Sequence, residues 1–296
     1  MSRRYAWVLN LDAELELARG RPGYVPQRKL LAQLAEHGAS SKGLLGPGDL
    51  ELSVVSRQLS ARGRQELVGR AWCPTPMAVA RLRDHGIEPE PFPSAAVLRR
   101  VNHRLFAHEL GGGLPEQAYV QSRAELSAKL FDDARHWLLK RPLSFAGRGQ
   151  LRAIGPLTEK QWTWVDASLK KDGLLIEPLV EPTFEVSRHG FVWPSGHCEL
   201  GRVCAQLVSD RGVFRGVRLA EAAELTLEET AAFAERADIV AHALHAAGYF
   251  GPFGIDGYRY SWQGRAGFCA LGEINARYTL GFVTGFPRHP SELSLA

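Results

Sequence analysis

GEINARYT, residues 272–279, sets Glu273, Asn275 and Arg277 two residues apart, directly after the apolar run 268–271. Alternate residues of a strand point to one face. If the run is a strand, a carboxylate, an amide and a guanidinium therefore share one surface. Carboxylate and amide oxygens are hard ligands suited to Mg²⁺, and a guanidinium suits phosphate. Together the three read as a site for a nucleoside triphosphate. The plainer alternative is a strand whose polar side faces water.

The stretches before it favour the site. GPFGIDGYRY (251–260) puts Asp256 inside a strand between Ile255 and Gly257, where an acid needs a partner. A metal shared with Glu273 is the economical one. SWQGR (261–265) reads as the hairpin turn that lays the two strands side by side. WLLKRPLSFAGRGQ (137–150) places Lys140 at the end of an apolar strand, before a turn rich in small residues, Ser144, Ala146, Gly147 and Gly149. Glycine lets backbone N–H groups approach phosphate closely, and a lysine beside them adds a point charge. The stretch contains neither GxxxxGK[ST] nor GxGxxG, so it is neither a P-loop nor a Rossmann fingerprint. Alone, it reads equally well as a hairpin with a lysine at its edge. LLIEPLVEPTFEVS (174–187) is an apolar strand interrupted by Glu177, Glu181 and Glu185. Pro178 stops the backbone from continuing as a central strand and frees it to meet a ligand. Without a ligand, these acids would read as a solvated face.

Composition sets the limits. The 296 residues suffice for two domains or one large one, with 45% hydrophobic and 23% charged residues, as in ordinary soluble proteins. The net charge is +4 and the arginines form no basic run, so no nucleic-acid partner is required. Cys73, Cys198, Cys204 and Cys269 form no CxxC pair and read as reduced thiols of a cytoplasmic protein. Asp12 and Glu14 cut short the first apolar run, so no signal peptide is expected. No membrane span is expected either.

Along the chain, the pattern predicts a strand at 5–11, a helix at 28–37, an apolar segment at 67–73 and a helix at 76–85. That alternation suggests a small α/β domain with parallel strands, left through the Pro-rich stretch 87–94. A helix is predicted over 95–110, ending at Gly111-Gly112-Gly113. From Trp137 on the texture is mostly strand, at 137–140, 174–179, 184–187, 202–208, 254–261 and 267–275. One helix interrupts it, opened by a Thr226/Glu229 capping box, carrying Phe233, Val240 and Leu244 on one face and closed by Gly248. His242 and His245 read as a solvated or packed pair. His189, His197, Arg202, Arg215 and Arg218 are weak candidates for a substrate pocket.

The order of these elements (lysine strand with glycine loop, EPLV hinge, helix, GIDGY strand, EINAR) resembles the ATP-grasp superfamily of carboxylate–amine ligases. The resemblance covers roughly residues 101–296. It implies an N-terminal parallel-sheet α/β domain (1–95), then an ATP-grasp domain of two lobes (96–296) with α+β character. It also implies roles for single residues. Lys140 would contact the α- and β-phosphates, with Gly147 and Gly149 in a mobile loop over them. Glu177 and Leu179 would flank adenine, and Glu185 would hold the ribose. Asp256, Glu273 and Asn275 would bind Mg²⁺, and Arg277 would face the γ-phosphate, with Lys140 and Arg277 catalytic. VNHRLF (101–106) sits where the family often has N-D-K, with Arg104 in the lysine's place as a further nucleotide contact. The arginine the family often carries just before the metal aspartate is replaced by Gly254 and Ile255. The implied reaction is ATP-dependent activation of a carboxylate as an acyl phosphate, forming ADP, followed by joining to an amine. The partners would be small-molecule or peptide acids and amines, in the cytoplasm, with a homodimer left open. The alternatives are a non-catalytic ATP-binding protein and an ATP-grasp kinase or carboxylase.

Overall fold

The computed structural model describes residues 3–20, 23–25, 41–52, 66–130, 136–144, 149–208 and 214–295. The helix expected at 28–37 lies outside them, as does Gly147.

The near-continuous burial of β1 (Arg4–Val8) is that of a strand covered on both faces. It lies between β2 (Leu50–Glu51) and β3 (Leu67–Ala71), and both pairings are parallel, as the alternating pattern predicted. Helix α1 (Ala13–Arg19) follows β1. Helix α2 (Pro76–Asp84) follows β3, with Pro76 in its first turn, where no backbone N–H is missed. The Pro-rich stretch does not leave at once. Gly69 N donates to Glu88 O (2.7 Å) and Glu90 N to Gly69 O (2.8 Å), so it first extends the sheet edge.

The single helix expected over 95–110 is two, α3 (Ala95–Val101) and α4 (Arg104–Leu110). The break coincides with a long-range contact. The Asn102 side chain is drawn to the backbone of Ala276, donating to its carbonyl (3.4 Å) and accepting from its N–H (2.9 Å). His103 then turns extended and caps α4, its Nδ1 accepting from Leu105 N at 3.2 Å.

A four-stranded antiparallel sheet runs β4 (Ala118–Val120), β7 (Leu174–Pro178), β5 (His136–Lys140), β6 (Gln150–Ile154). Helices α5 (Arg123–Leu130) and α6 (Glu159–Leu169) cover it through Leu126 and Val165, packed with Trp137, Leu139, Leu174 and Ile176. The mostly-strand reading missed α6, although Thr158 and Gln161 form a full capping box in front of it.

The five-stranded antiparallel sheet has the order β10 (Phe214–Leu219), β9 (Cys198–Val208), β8 (Glu181–Val192), β11 (Gly251–Trp262), β12 (Arg265–Asn275). Helix α7 (Leu227–Ala246) carries the expected capping box and buries Phe233, Ala237, Val240 and Leu244. These side chains share one apolar cluster with Tyr5 and Trp7 of β1, so the N-terminal sheet and the large sheet bury a common core. Among the described residues, no helix is long and apolar enough to cross a membrane.

His189, buried in β8, has Nδ1 at 2.9 Å from the Thr279 hydroxyl and Nε2 at 3.3 Å from Ser187 Oγ. Burial pushes its imidazole down to about 4. The unfolded chain protonates near 6.5, so it binds the proton first as the pH falls. The stability His189 preserves is therefore complete above about pH 6.5 and is lost progressively toward about pH 4. In thermal melts, His189→Gln starts lower at neutral pH but declines less than the parent between about pH 6.5 and pH 4.5. Parallel declines would rule out His189 as a source of acid lability.

Candidate active site

The hairpin of β11 and β12 turns through Gln263 and Gly264, both at positive φ (50° and 73°), as a two-residue turn of the twist-matched kind requires. The ladder is regular from Trp262↔Arg265 to Tyr258↔Cys269. Continued unbroken, it would set Leu271 opposite Asp256. Instead the register shifts, and Asp256 faces Glu273. The N–H of Leu271, freed by the bulge, donates to Gly112 O at 3.0 Å. Bulges re-aim side chains in this way, and this one sets two carboxylates side by side.

Asp256 accepts on both oxygens, from Gln206 Nε2 (3.1 Å) and from Asn275 Nδ2 (2.8 Å). Loss of surrounding water, then the neighbouring Glu273, push its carboxyl up to about 7, with Glu185 adding and Arg277 and Asn275 opposing. Glu273 Oε1 accepts from Arg104 Nη2 at 2.6 Å. The other arm of Arg104 donates to Arg141 O (2.6 Å) and Ser144 Oγ (2.7 Å). Asn275 Oδ1 accepts from Arg277 Nη2 at 3.0 Å. Arg277 lies past the end of β12, where its N–H bonds back to Asn275 O (2.9 Å), and its guanidinium pairs with Glu14 of α1. Gln206, contributed by β9, went unseen in the sequence because nothing local marks it. Only the pairing of β8 between β9 and β11 brings it to Asp256.

From the small sheet, Lys140 forms an ion pair with the buried Glu177. Gln117 Nε2 donates to the other Glu177 oxygen (3.1 Å), and Gln117 Oε1 lies 3.1 Å from His108 Nδ1. Burial pushes the Cys269 thiol of β12 up to about 11, with Tyr258 and Lys140 opposing and Glu177 adding. Leu179 and Val180 alone connect β7 to β8, crossing between the sheets, and Leu179 N donates to His136 O at 2.8 Å. Glu185, opposite Tyr258, is half-buried, and burial holds its carboxyl above the usual range. Gly149 (φ 70°) closes the loop after Lys140, its carbonyl accepting from Arg141 N at 2.8 Å. A Cβ there would come within 2.9 Å of the Ser144 side chain.

The weaker candidates lie elsewhere. His242 Nδ1 contacts Asp238 O (2.7 Å), and His245 Nε2 lies 3.4 Å from Pro194 O. Arg218 pairs with Glu224, while Arg202 and Arg215 are exposed. Among the described residues, no three His, Cys, Asp or Glu side chains gather as a metal site. Asp256, Glu273 and the Asn275 amide are the donors this strand pair offers. Two hard carboxylates held against each other fit Mg²⁺, which keeps waters and takes further ligands from a bound phosphate. The raised Asp256 carboxyl is the cost a cation would relieve.

No protein-family model matches the chain, and no curated protein sequence matches it. Solved structures do resemble it. D-alanyl-alanine synthetase A from Vibrio cholerae matches at a TM-score of 0.54 and 12% identity, over 93% of this chain and 89% of that one. Carboxyaminoimidazole ribonucleotide synthase from Aspergillus clavatus, complexed with ATP, matches at 0.53 and 15%, over 100% and 78%. An ADP complex of N5-carboxyaminoimidazole ribonucleotide synthetase matches at 0.52 and 15%, over 94% and 71%. The chain spans 54% of the length of the Thermus thermophilus N5-carboxyaminoimidazole ribonucleotide synthetase, at 20% identity and a TM-score of 0.47. The three matches above a TM-score of 0.5 show the fold: this chain, with its parallel sheet followed by two antiparallel sheets, has the ATP-grasp fold.

Proposed function

We propose that the protein is an ATP- and Mg²⁺-dependent, ADP-forming carboxylate–amine ligase. One observation carries this reading: the strand pair that sets Asp256 against Glu273, with Asn275 beside them, is tied by Arg104 to the backbone directly after Lys140, one arm on Glu273 and the other on Arg141 O. Phosphoryl transfer is largely positioning and charge neutralisation. This site concentrates cations and hard ligands, and among the described residues it holds no nucleophile–base constellation.

In the proposed chemistry, an oxygen of the substrate carboxylate attacks the γ-phosphorus and ADP leaves. The amine nitrogen then attacks the acyl carbon, a proton is lost, and phosphate leaves as the amide forms. Lys140 would neutralise the α- and β-phosphates, Arg104 the phosphate side near Glu273, and Arg277 the γ-phosphate. Glu177 and Leu179 would border the base, Glu185 the ribose hydroxyls, and Gly147 and Gly149 the loop over the phosphates. Asp256, Glu273 and Asn275 would hold Mg²⁺, which supplies charge neutralisation at the transferring phosphoryl group. The domain boundary near residue 95, acid and amine substrates of small-molecule or peptide size and a cytoplasmic location belong to the same reading. The free thiols Cys73, Cys198, Cys204 and Cys269 suit a reducing compartment.

The test is a screen of acids with ATP, Mg²⁺ and hydroxylamine. The correct acid yields ADP and a hydroxamate, the acyl phosphate being trapped. Formation of AMP and pyrophosphate would replace this mechanism with adenylation.

A further inference from the structure

A cleft of about 660 Å³ opens between α1, the base of the β5–β6 loop and the C-terminal end of α6. Its walls carry Arg19, Arg141, Ser144, Ser168, Lys171 and Asp172. Three of these are cations. Asp172, the one carboxylate among the described lining residues, is already paired with Arg99 at 2.5 Å. Arg141 is the most constrained of the three. Its Nε donates to Ser168 Oγ (2.8 Å), and its guanidinium carbon lies 4.8 Å from the centre of the Trp164 ring. Among the described residues no carboxylate meets it, and burial alone lowers its pKa. Lys171 is lowered as well, by loss of water first, with Arg99 and Arg141 adding and Asp172 opposing. The cleft therefore sets three cations against one carboxylate, Asp172, which Arg99 already engages, an arrangement that an incoming anion stabilises.

The cleft also touches the candidate active site. Ser144 in its wall accepts from Arg104, whose other arm holds Glu273. A group seated at Arg141 is thus one guanidinium away from the carboxylate pair.

We infer that this cleft binds a second anionic group, carboxylate or phosphate, of the substrate that the ligase acts on. The inference rests on the ligase reading above. Arg141, its guanidinium over the Trp164 ring and its Nε held by Ser168, offers a planar set of donors that suits either group. Lys171 and Arg19 add charge to the same walls.

The test uses the full-length protein without nucleotide, titrated with inorganic phosphate and separately with citrate, with NaCl at matched ionic strength as the control. Calorimetry and thermal melts read saturable binding in the parent. Arg141→Gln/Lys171→Gln weakens it about tenfold or more, the loss expected for charge-assisted hydrogen bonds. The ATP-induced rise in melting temperature is unchanged in that variant. The exposed pair Arg19→Gln/Lys171→Gln, which disturbs no packing, weakens binding in the same direction if the first variant does not fold. Tighter phosphate binding identifies a phosphorylated substrate, and tighter citrate binding a polycarboxylate. Equal affinity in parent and variants, or displacement of the anion by ATP with Mg²⁺, would overturn the inference. Failure of the ligase reading would show separately, as a parent that binds these anions but whose melting temperature ATP does not raise.

Discussion

Glu273→Gln lowers Mg²⁺-dependent turnover by about 10²–10³-fold or more, the usual size for a removed electrostatic stabiliser, and Asn275→Ala does the same. The two variants fail for different reasons, and this makes them informative together. Glu273→Gln removes one carboxylate of the opposed pair and weakens the hold on Arg104. Asn275→Ala keeps both carboxylates but removes the amide that donates to Asp256 and accepts from Arg277. Relief of the repulsion on Asp256 offsets part of the weakened Arg104 ion pair, so Glu273→Gln stays folded without nucleotide. Isothermal titration of Mg²⁺ in the presence of ADP, alongside steady-state phosphate release, separates lost metal binding from lost folding. Unchanged turnover in both variants would remove the metal assignment and leave β12 as an ordinary surface strand.

The hairpin that carries this site was legible because its information is local. SWQGR announces a tight turn, and period-two spacing puts Glu273 and Asn275 on one face whatever surrounds them. The opposition of Asp256 to Glu273 was inferred as an economy. In the structure it depends on a bulge, and no alternation rule indicates where a ladder slips. Gln206 was illegible for a related reason: its meeting with Asp256 is a product of strand order across three strands, and glutamine carries no chemical signature of its own. The break between α3 and α4 was hidden likewise. Residues 95–110 have good helical periodicity, and what interrupts them is the distant backbone of Ala276, claimed by the Asn102 amide. Helix α6 is different, since its capping box lay in plain sight and the mostly-strand reading of the region passed over it. Arg277 shows the limit of reading by spacing. It follows the two-residue rhythm, yet the strand ends before it, and its strongest partner is Glu14 at the other end of the chain.

Lys140→Ala destabilises the fold and abolishes the nucleotide response, and a second substitution separates the two effects. Glu177 is 3% exposed and its cation is Lys140. Removing the lysine leaves a buried carboxylate with one amide donor, Gln117. Breaking a buried pair from one side costs about 3–5 kcal/mol, whereas replacing both partners by neutral groups of similar shape is often close to neutral. Lys140→Met/Glu177→Gln therefore melts near the parent, since the new amide oxygen still accepts from Gln117. ATP with Mg²⁺ raises the melting temperature of the parent by binding the native state preferentially. That rise is lost in the double variant, which lacks the ammonium, and is kept in His242→Ala, whose ring lies on α7 against Asp238. The ammonium has three donors and Glu177 engages one of its faces, so Lys140 can serve phosphate without surrendering the pair. A stable double variant that still responds to ATP like the parent would reduce the Lys140–Glu177 pair to a strut of the small sheet, and the phosphate assignment would pass to the other cations.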